Sequence, residues 1–392
     1  MQSKKSIQSI DSPPVEAPDT SLERKLSRRS FMKGSAALFA AAAVNLPLPL
    51  ESKPRAVEAR YYEKLGQKRI RCLLCPRECR VGDGERGLCR VRENRGGTYY
   101  TLVYAQPCAL HLDPIEKKPF FHVLPGTQAV SLSTVGCNLG CKFCQNWQIS
   151  QSRPEDVETQ HTPPAKIVEQ AVSLRAPSVA YTYAEPVIFI EYMQDIASLA
   201  RGKKIRNVVV SNGYIRKEPL LDLCGLVDAI KIDLKAFDDS YYRDICNATL
   251  RPVLDTIVTI RSRGVWLELV YLVVPTLNDS QAKIRDMARW IVANLGPDVP
   301  LHFSRFFPQY RLENLSPTPV STLDRSYEIC REEGLHYVYV GNVPRHQAEN
   351  TYCPNCSRRI IARGGYRLES LDIRNGTCRF CGWKIPGIWQ EA

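Results

Sequence analysis

The distribution of cysteine constrains this chain more than any other feature. Eleven of its 15 cysteines fall in three short clusters. Cysteines spaced this closely are typical of metal and iron–sulfur sites, whereas a disulfide framework spreads its cysteines along the chain. The clusters are Cys72, Cys75, Cys79 and Cys89; then Cys137, Cys141 and Cys144; then Cys353, Cys356, Cys378 and Cys381. We therefore expect three separate metal-binding segments.

Length and composition set broad limits on the fold. The 392 residues are 44% hydrophobic and 24% charged, which suits one large or two ordinary domains with a substantial core. This balance excludes a collagen-like or broadly disordered chain. The net charge of +12 leaves nucleic acid, anionic membrane or acidic substrates open as partners and selects none of them.

The N-terminal segment has the pattern of an export signal. Arg28 and Arg29 precede an apolar stretch that is short and ends in prolines, so it does not predict a membrane span. Residues 21–50 resemble a twin-arginine signal. We predict a signal and linker over residues 1–59, cleavage after Ala59, and a periplasmic or membrane-associated protein. A weakly helical extension on a cytoplasmic protein is the alternative.

The central part of the chain alternates strand-like and helix-like segments. This alternation, over residues 126–342, predicts an α/β fold with a partial or complete parallel (β/α) barrel, and a doubly wound sheet is the competing topology. We expect a Cys-rich module over residues 60–125 and a zinc-ribbon-like module over 343–392. The predicted strands are 129–135, 178–183, 207–211, 229–234, 265–273, 301–306 and 336–340. The predicted helices are 165–174, 187–199, 218–226, 253–263, 281–295 and 321–333.

The central cysteine cluster follows the first predicted strand. Its string VGCNLGCKFCQNW spaces the cysteines as Cys-x3-Cys-x2-Cys, and Gly136 and Gly140 are expected to let the loop fold tightly. Three thiolates can hold three irons of a four-iron cluster and leave one iron without a protein ligand. Such an open position is what a catalytic metal needs. A structural zinc loop with a fourth ligand, such as His122 or Cys108, is the alternative.

This spacing, with Phe143 directly before the third cysteine, resembles the radical SAM superfamily. The resemblance implies a [4Fe-4S] cluster on Cys137, Cys141 and Cys144, which would be the catalytic residues. It also implies that S-adenosylmethionine binds the open iron and is cleaved reductively to methionine and a 5'-deoxyadenosyl radical, which abstracts hydrogen from a substrate.

Polar residues follow several of the predicted strands, at the end of a barrel where active sites gather. The resemblance places Glu185 at the methionyl ammonium, and SNG resembles the Thr-Asn-Gly turn of pyruvate formate-lyase activating enzymes. DLK matches the Asp-x-Lys of the same enzymes. The residues expected to bind the cofactor are Phe143, Glu185, Ser211, Asn212, Asp233, Lys235 and His302.

Each of these polar residues also has a structural interpretation. Glu185 beside a proline could be an ordinary carboxylate at a helix start, and Asn212 could serve only its turn. Asp233 and Lys235 could form a solvated ion pair, and His302 could be a hydrogen-bonded core histidine. The patch DPIEKK at residues 113–118 is expected to be a solvated surface turn, with a substrate-facing lid as its functional alternative.

Longer strings extend the resemblance to about residues 70–390. The segments DPIEKKPFFHVLPG, YTYAEP, DAIKIDLKAF, SRFFPQY and CGWKIPGIW resemble the radical SAM component of the AmmeMemoRadiSam system, a branch near the pyruvate formate-lyase activating enzymes. This resemblance implies AMMECR and Memo family partners and a low-potential electron donor. It also makes activation of a glycyl-radical enzyme the favoured reaction, on a substrate that is not identified.

The two flanking cysteine clusters predict further metals. The C-terminal pair of Cys-x2-Cys motifs, separated by 21 residues, is typical of a zinc ribbon, with rubredoxin-type iron or free thiols as alternatives. The N-terminal cluster could hold zinc or an auxiliary iron–sulfur cluster, and disulfides formed after export are a competitor.

Two other functions compete with a radical SAM enzyme of unknown substrate. One is a non-catalytic iron–sulfur or zinc protein that carries electrons or acts as a scaffold. The other is an RNA-modifying radical enzyme, favoured by the basic charge and the ribbon. Export would contradict it, so nucleic acid is not expected as a partner.

Overall fold

The structure is a computed structural model that describes residues 56–390, so the predicted twin-arginine motif lies outside the described residues. The strands are β1 (Val57–Glu58), β2 (Tyr62–Gly66), β3 (Arg69–Cys72), β4 (Arg80–Val81), β5 (Arg92–Arg95), β6 (Thr98–Thr101), β7 (Ala109–Pro114), β8 (Gln128–Ser133), β9 (Ser178–Tyr181), β10 (Arg206–Ser211), β11 (Ala229–Asp233), β12 (Trp266–Val273), β13 (Leu301–Arg305), β14 (Val338–Gly341), β15 (Thr351–Tyr352), β16 (Arg359–Gly364), β17 (Arg367–Leu371), β18 (Ile373–Arg374) and β19 (Thr377–Cys378). The helices are α1 (Trp147–Ser150), α2 (Pro164–Ser173), α3 (Ile190–Gly202), α4 (Lys217–Cys224), α5 (Asp239–Cys246), α6 (Arg251–Ser262), α7 (Gln281–Leu295) and α8 (Val320–Glu332).

One eight-stranded sheet forms the centre of the described chain. Strands β8 to β14 are parallel and lie side by side in sequence order, and β7 pairs antiparallel with β8 at one edge. The order never reverses, so the doubly wound alternative is wrong. Among the described residues β7 and β14 are the two edges and do not pair with each other, which makes the barrel partial. The α/β class and the parallel sheet are confirmed.

The strands are apolar on both faces because helices cover one face and the barrel interior occupies the other. On β12, Leu267, Leu269 and Tyr271 face outward into the larger apolar cluster, which the helices complete. The alternate residues Trp266 and Glu268 face inward. The period-2 alternation along each strand therefore separates the helix layer from the interior where a site can form.

The β7–β8 connection fills one end of this interior instead of crossing the surface. Phe120 and Val123 pack there against Ala180 and Val208 on the neighbouring strands. The Glu268 carboxylate accepts hydrogen bonds from two backbone N–H groups of this connection, at 2.9 to 3.2 Å. The segment around Ile388 also contacts this connection, since the backbone of Ile388 forms hydrogen bonds with both residues that flank Val123. Buried backbone groups thus find partners within the interior.

The expectation of a solvated turn at residues 113–118 is wrong for most of its charges. Asp113, Glu116 and Lys118 are buried, and only Lys117 is exposed. The Asp113 carboxylate accepts hydrogen bonds from both lysines, at 2.8 and 2.5 Å, and a carboxylate oxygen of Glu116 accepts from the backbone N–H of Gly126 at 2.7 Å. Pairing with the two lysines makes the burial of the Asp113 charge tolerable.

Two predicted domain boundaries differ from the structure. Strand β1 pairs with β6 inside the N-terminal module, so that module begins at or before Val57 and not at residue 60. Cleavage after Ala59 would remove this strand. Strand β7 belongs to the central sheet, so the sheet begins before residue 126. Strand β1 has only two residues, which is too short to identify a strand from sequence, and it is fixed by its pairing with β6.

The helices agree with the predicted positions apart from their ends. The expected helix at 187–199 is a short 3-10 turn, Pro186–Phe189, followed by α3. The side chain of Glu185 caps this turn by accepting from the backbone N–H of Val187 at 3.1 Å. Helices α1 and α5 were not predicted. Within residues 56–390, no helix combines the length and the apolar character that crossing a bilayer would require.

A buried histidine in this interior predicts a stability loss in acid. Each ring nitrogen of His122 lies 2.7 Å from a partner, Nδ1 from the Pro386 carbonyl and Nε2 from the Tyr339 hydroxyl. A carbonyl only accepts, so the neutral ring donates from Nδ1 and accepts at Nε2. Burial lowers the pKa of His122 to about 4, against the opposing attraction of the Glu268 carboxylate.

In the unfolded chain the pKa of this histidine is roughly 6.5. The neutral ring therefore stabilises the folded protein fully above that pH, and this stabilisation is lost as the pH falls through the pKa of the folded state. We expect the wild type to lose roughly 3 kcal/mol more unfolding free energy than His122→Gln between pH 7 and pH 4. Urea unfolding at both pH values measures this difference. Equal losses in the two proteins would show that the histidine does not titrate with folding.

Candidate active site at the strand ends

The loop that carries the central cysteines follows β8 directly and is held by backbone hydrogen bonds. Gly136 N–H donates to the Ile149 carbonyl of α1 at 2.9 Å. The two residues that flank Cys141 donate to the end of α5, from Gly140 to the Cys246 carbonyl and from Lys142 to the Ile245 carbonyl, each at 3.0 Å. Helices α1 and α5 therefore fix the loop from two sides.

Of the two glycines in this loop, only Gly136 is required by its geometry. It has a φ of +103°, and a Cβ there would lie 2.6 Å from Val91 and 2.9 Å from the Cys89 carbonyl oxygen. Gly140 has no such restriction, because a Cβ would meet Asn247 at an ordinary 3.5 Å. Close packing of the N-terminal module against the loop is thus the reason for Gly136.

The three thiols lie in surroundings that suit metal ligands. The backbone N–H of Leu139 donates to Cys137 Sγ at 3.4 Å, and the Asn212 amide donates to the same sulfur at 3.8 Å. Cys144 Sγ lies 3.1 Å from the Ser150 hydroxyl oxygen. Donors aimed at sulfur favour the thiolate, which is the form that binds metal.

Burial acts in the other direction on these thiols. It raises the pKa of Cys137 and Cys144, and for Cys141 the neighbouring Cys246 thiol and burial together raise the pKa well above its usual value. The Lys235 ammonium opposes this rise at Cys141 and Cys144. Burial therefore favours the neutral thiols, and a cation lies nearby that would stabilise bound thiolates.

The three central sulfurs do not have the close spacing of a single-ion site. Over residues 56–390, the C-terminal cysteines alone bring three or more possible ligand atoms within 4.8 Å of one another. The central three are therefore spread more widely than one zinc ion requires, which fits ligands that each bind a different iron. The alternative ligands have other contacts, His122 with Pro386 and Tyr339, and Cys108 Sγ at 3.6 Å from the Ser133 carbonyl.

Glu185 lies at the end of β9 and is 2% exposed. Its carboxylate accepts from the Ser211 hydroxyl at 2.7 Å, from Asn212 N–H at 2.8 Å and from Val187 N–H at 3.1 Å. Burial raises the pKa of Glu185 to about 7, while these three donors lower it in part. Its negative charge also raises the pKa of Cys137, so the carboxylate lies near the loop. It caps a turn and borders the candidate site at once.

The Ser211–Asn212 segment at the end of β10 is both a turn and part of the site. Asn212 Oδ1 accepts from Tyr214 N–H at 2.8 Å, which is the expected turn bond. Its Nδ2 donates to Asn138 Oδ1 at 2.9 Å and to the Cys137 sulfur. The two interpretations left open by the sequence are thus compatible.

Asp233 and Lys235 lie on one face at the end of β11, and their ammonium–carboxylate distance is 2.9 Å. Lys231, two residues earlier, donates to the same carboxylate. The ion pair is mostly buried, so the solvated alternative is wrong. Burial opposes the charged forms, but the two ammonium groups hold the pKa of Asp233 below its usual range, and Asp233 and Cys141 raise that of Lys235. Lys235 Nζ lies 5.8 Å from the centroid of the buried Phe143 ring.

One residue of this region, Tyr183, was given no role by the sequence interpretation. Tyr183 has a φ of +68°, which is unusual for an aromatic residue and is typical of functional sites. Its hydroxyl contacts Asp113, and the buried Lys118 ammonium lies 4.3 Å from its ring centroid. The string YTYAEP contained the only sequence signal, an aromatic residue directly before the expected glutamate.

His302 lies in a different group of residues. Its Nε2 is 2.7 Å from the Glu268 carboxylate, and its ring stacks on Tyr339 with the centroids 4.8 Å apart and meets Phe121 edge-on. Burial lowers the pKa of His302. These contacts correspond to the core-histidine alternative. A role at the cofactor stays a prediction.

The C-terminal cysteines have the geometry of a single metal ion. Cys353 and Cys381 have their sulfurs 3.6 Å apart, and Cys356 and Cys378 have theirs 3.8 Å apart. A tetrahedron with metal–sulfur bonds of about 2.3 Å has edges of about 3.8 Å. These four residues could therefore hold one tetrahedral ion.

The sequence matches one protein-family profile and several known proteins. The Radical SAM superfamily profile matches residues 131–290. The uncharacterized protein MJ0808 of Methanocaldococcus jannaschii is 45% identical over 330 residues, which are 84% of this chain and 98% of that protein. The pyruvate formate-lyase-activating enzyme of Clostridium pasteurianum is 24% identical over 171 residues, 41% of this chain and 67% of that enzyme.

Among solved structures, a radical SAM methyltransferase from Sphaerobacter thermophilus matches with a TM-score of 0.44 at 15% identity, over 75% of this chain and 78% of that one. The chain belongs to the radical SAM superfamily. Its homology to activating enzymes of glycyl-radical systems is weak. Membership implies a [4Fe-4S] cluster and S-adenosylmethionine as cofactors.

Proposed function

We propose that this chain cleaves S-adenosylmethionine reductively and directs the product radical at a protein substrate. The observation that carries the proposal is the meeting of the cysteine loop with the ends of β9, β10 and β11. Asn212 donates both to the Glu185 carboxylate and to the Cys137 sulfur. Lys235, paired with Asp233, lies 5.8 Å from the ring of Phe143, which precedes the third cysteine. When bound, the cluster would supply one electron to the sulfonium of the cofactor, which yields methionine and a 5'-deoxyadenosyl radical.

The chain's own residues would orient and shield this chemistry. Cys137, Cys141 and Cys144 would hold the cluster, and Asn212 and the Leu139 N–H would fix Cys137. The Lys235 ammonium would compensate the negative charge of the thiolates and of the methionyl carboxylate. Glu185 would accept from the methionyl ammonium when ionised. Buried Leu139, Phe143 and Tyr241 would keep water from the radical.

A single-turnover assay tests this function. The protein, reconstituted anaerobically with iron and sulfide, is mixed with S-adenosylmethionine and dithionite. We expect 5'-deoxyadenosine and methionine in equal amounts, and none without reductant. Absence of both products from protein that contains a full cluster would exclude the proposed function.

We further propose that the reaction is activation of a glycyl-radical enzyme, as part of an AmmeMemoRadiSam system. The named function of the Clostridium pasteurianum relative supports the reaction class. AMMECR and Memo family proteins would be the partners, and a low-potential one-electron donor would reduce the cluster. Transfer of deuterium from a glycine-labelled partner enzyme into 5'-deoxyadenosine would test the proposal, and its absence would refute it.

We propose export by the twin-arginine route from Arg28 and Arg29 and the apolar stretch that follows them. Replacement of both arginines by lysine should retain the protein in the cytoplasm in a fractionation experiment. Unchanged fractionation of that variant would refute export by this route.

We propose that the C-terminal cysteines bind structural zinc. The sulfur distances of 3.6 and 3.8 Å support tetrahedral coordination. We expect about one zinc per chain by elemental analysis, and Cys356→Ser should lose it and lower the melting temperature, because structural zinc contributes directly to folding. Cys224→Ser, a half-buried cysteine on α4, is the matched control. Zinc retained by Cys356→Ser would contradict the assignment.

A further inference from the structure

The four N-terminal cysteines surround one small cavity. Cys72, Cys75, Cys79 and Cys89 line it together, although the last is 17 residues from the first. Cys72 is the last residue of the β2–β3 hairpin, and its backbone N–H donates to the Cys79 carbonyl at 2.9 Å. The fold of the module thus places all four sulfurs around one cavity, which their spacing in the sequence does not show.

Two polar atoms at this cavity find no hydrogen-bond partner among residues 56–390. Arg92 Nη1 and the Tyr99 hydroxyl are both buried without one, on side chains that are 1% and 0% exposed. Both residues line the cavity. Buried donors are almost always satisfied, so a pair of unpartnered donors at one cavity indicates an acceptor that belongs there. Sulfur bound to a metal is such an acceptor.

The charges around the cavity also fit a metal-bound sulfur as the acceptor. Four thiolates bring a large negative charge into a buried place, and a guanidinium beside them is the expected compensation. Arg92 lines the same cavity as all four sulfurs and is buried. Its other nitrogens already bond to the Ile188 carbonyl and the Glu191 carboxylate, which leaves Nη1 for the cavity.

The sulfur spacing of the N-terminal cysteines differs from that of a single tetrahedral ion. The C-terminal cysteines of the same chain show what a single tetrahedral site looks like, with all four sulfurs within 4.8 Å of one another. In the described residues the N-terminal four do not reach this spacing. They lie around a cavity, as ligands do when each binds a different metal of a polynuclear centre.

We propose that Cys72, Cys75, Cys79 and Cys89 bind a second [4Fe-4S] cluster whose four irons all have protein ligands. This cluster lies next to the loop of the candidate active site. Asn138, which follows Cys137, borders the same cavity, and Arg77 donates to its carbonyl at 3.1 Å. The Cys89 carbonyl packs against Gly136. The second cluster therefore also fixes the surface on which the active-site loop rests.

The test removes the central cysteines and leaves the N-terminal ones. The full chain with Cys137→Ala, Cys141→Ala and Cys144→Ala is reconstituted anaerobically and analysed for iron, sulfide and zinc. We expect about four irons and four sulfides per chain. The reduced protein should show an electron paramagnetic resonance signal that S-adenosylmethionine does not change, because all its irons are ligated.

A second variant with Cys72→Ser and Cys89→Ser added should lose this iron and the signal, while Cys224→Ser added in their place should lose neither. An iron-free triple variant, a second zinc per chain, or a disulfide among the four cysteines by mass spectrometry would overturn the proposal. The triple variant has no site for cofactor cleavage, so its iron content is independent of the proposed function. If the second variant fails to fold, the iron, sulfide and zinc content of the triple variant still tests the proposal.

Discussion

Replacing Cys141 with serine is expected to lower 5'-deoxyadenosine formation to the background of cofactor and reductant alone. The loss should be on the order of a thousandfold or more, because the uncatalysed cleavage is very slow and no other group supplies the electron. Cys141 is buried at the centre of the loop, between two backbone hydrogen bonds to α5. Liquid chromatography of single-turnover reactions, with the cluster content measured on the same sample, gives the loss.

Two other cysteines serve as controls for this result. Cys224→Ser, on the outer helix α4, should leave product formation unchanged. Cys246→Ser tests the thiol beside Cys141 and should also retain activity, because three cysteines are enough to hold the cluster. Product formation by Cys141→Ser at more than a tenth of the wild-type amount would contradict the account of the site.

The second large effect is on stability, at a buried ion pair between the N-terminal module and the central domain. Arg92 and Glu191 are each 1% exposed, with 2.5 Å between the guanidinium nitrogen and the carboxylate oxygen. Coulombic attraction to Glu191 raises the pKa of Arg92 although burial lowers it, so the guanidinium stays charged. Glu191→Gln leaves this cation buried without its partner, and we expect a loss of about 3–5 kcal/mol of unfolding free energy.

Guanidinium chloride unfolding of wild type and variant, at equal metal content, measures this loss. Glu169→Gln on α2 is the matched control, because Glu169 pairs with Lys166 in an exposed position and should change stability by less than about 0.5 kcal/mol. Equal stabilities for Glu191→Gln and Glu169→Gln would show that the buried pair does not hold the two parts together.

Local sequence patterns predicted the parts of the fold that depend on local physics. Alternation of β-branched runs with helical periodicity identified the seven parallel strands within a few residues, and helix α7 at its observed bounds. The rule that sites gather at the carboxyl ends of parallel strands predicted that Glu185 and Asn212 lie close together, and the Asn212 N–H donates to the Glu185 carboxylate at 2.8 Å. Each of these predictions needs only the residues of one element and its neighbour.

The interior of the barrel could not be predicted, because its contacts join distant segments. Asp113 and Lys118 appear polar in sequence, and their burial depends on each other and on Tyr183, 70 residues away from Asp113. Cys246 was regarded as an isolated cysteine, yet its carbonyl holds the active-site loop from more than 100 residues away. Likewise, Arg77 bonds to the Asn138 carbonyl and joins two cysteine clusters that the sequence presents as separate.

The central claim is that three cysteines leave one iron free for the cofactor. Electron paramagnetic resonance of the reduced wild type, recorded before and after addition of S-adenosylmethionine, tests it most directly. The account predicts a new signal from one of the clusters when the cofactor is added, and the same change in Cys246→Ser. A wild-type spectrum that the cofactor leaves unaltered, with a change that emerges only when Cys246 is replaced, would show that a fourth thiol occupies the iron and would contradict the account.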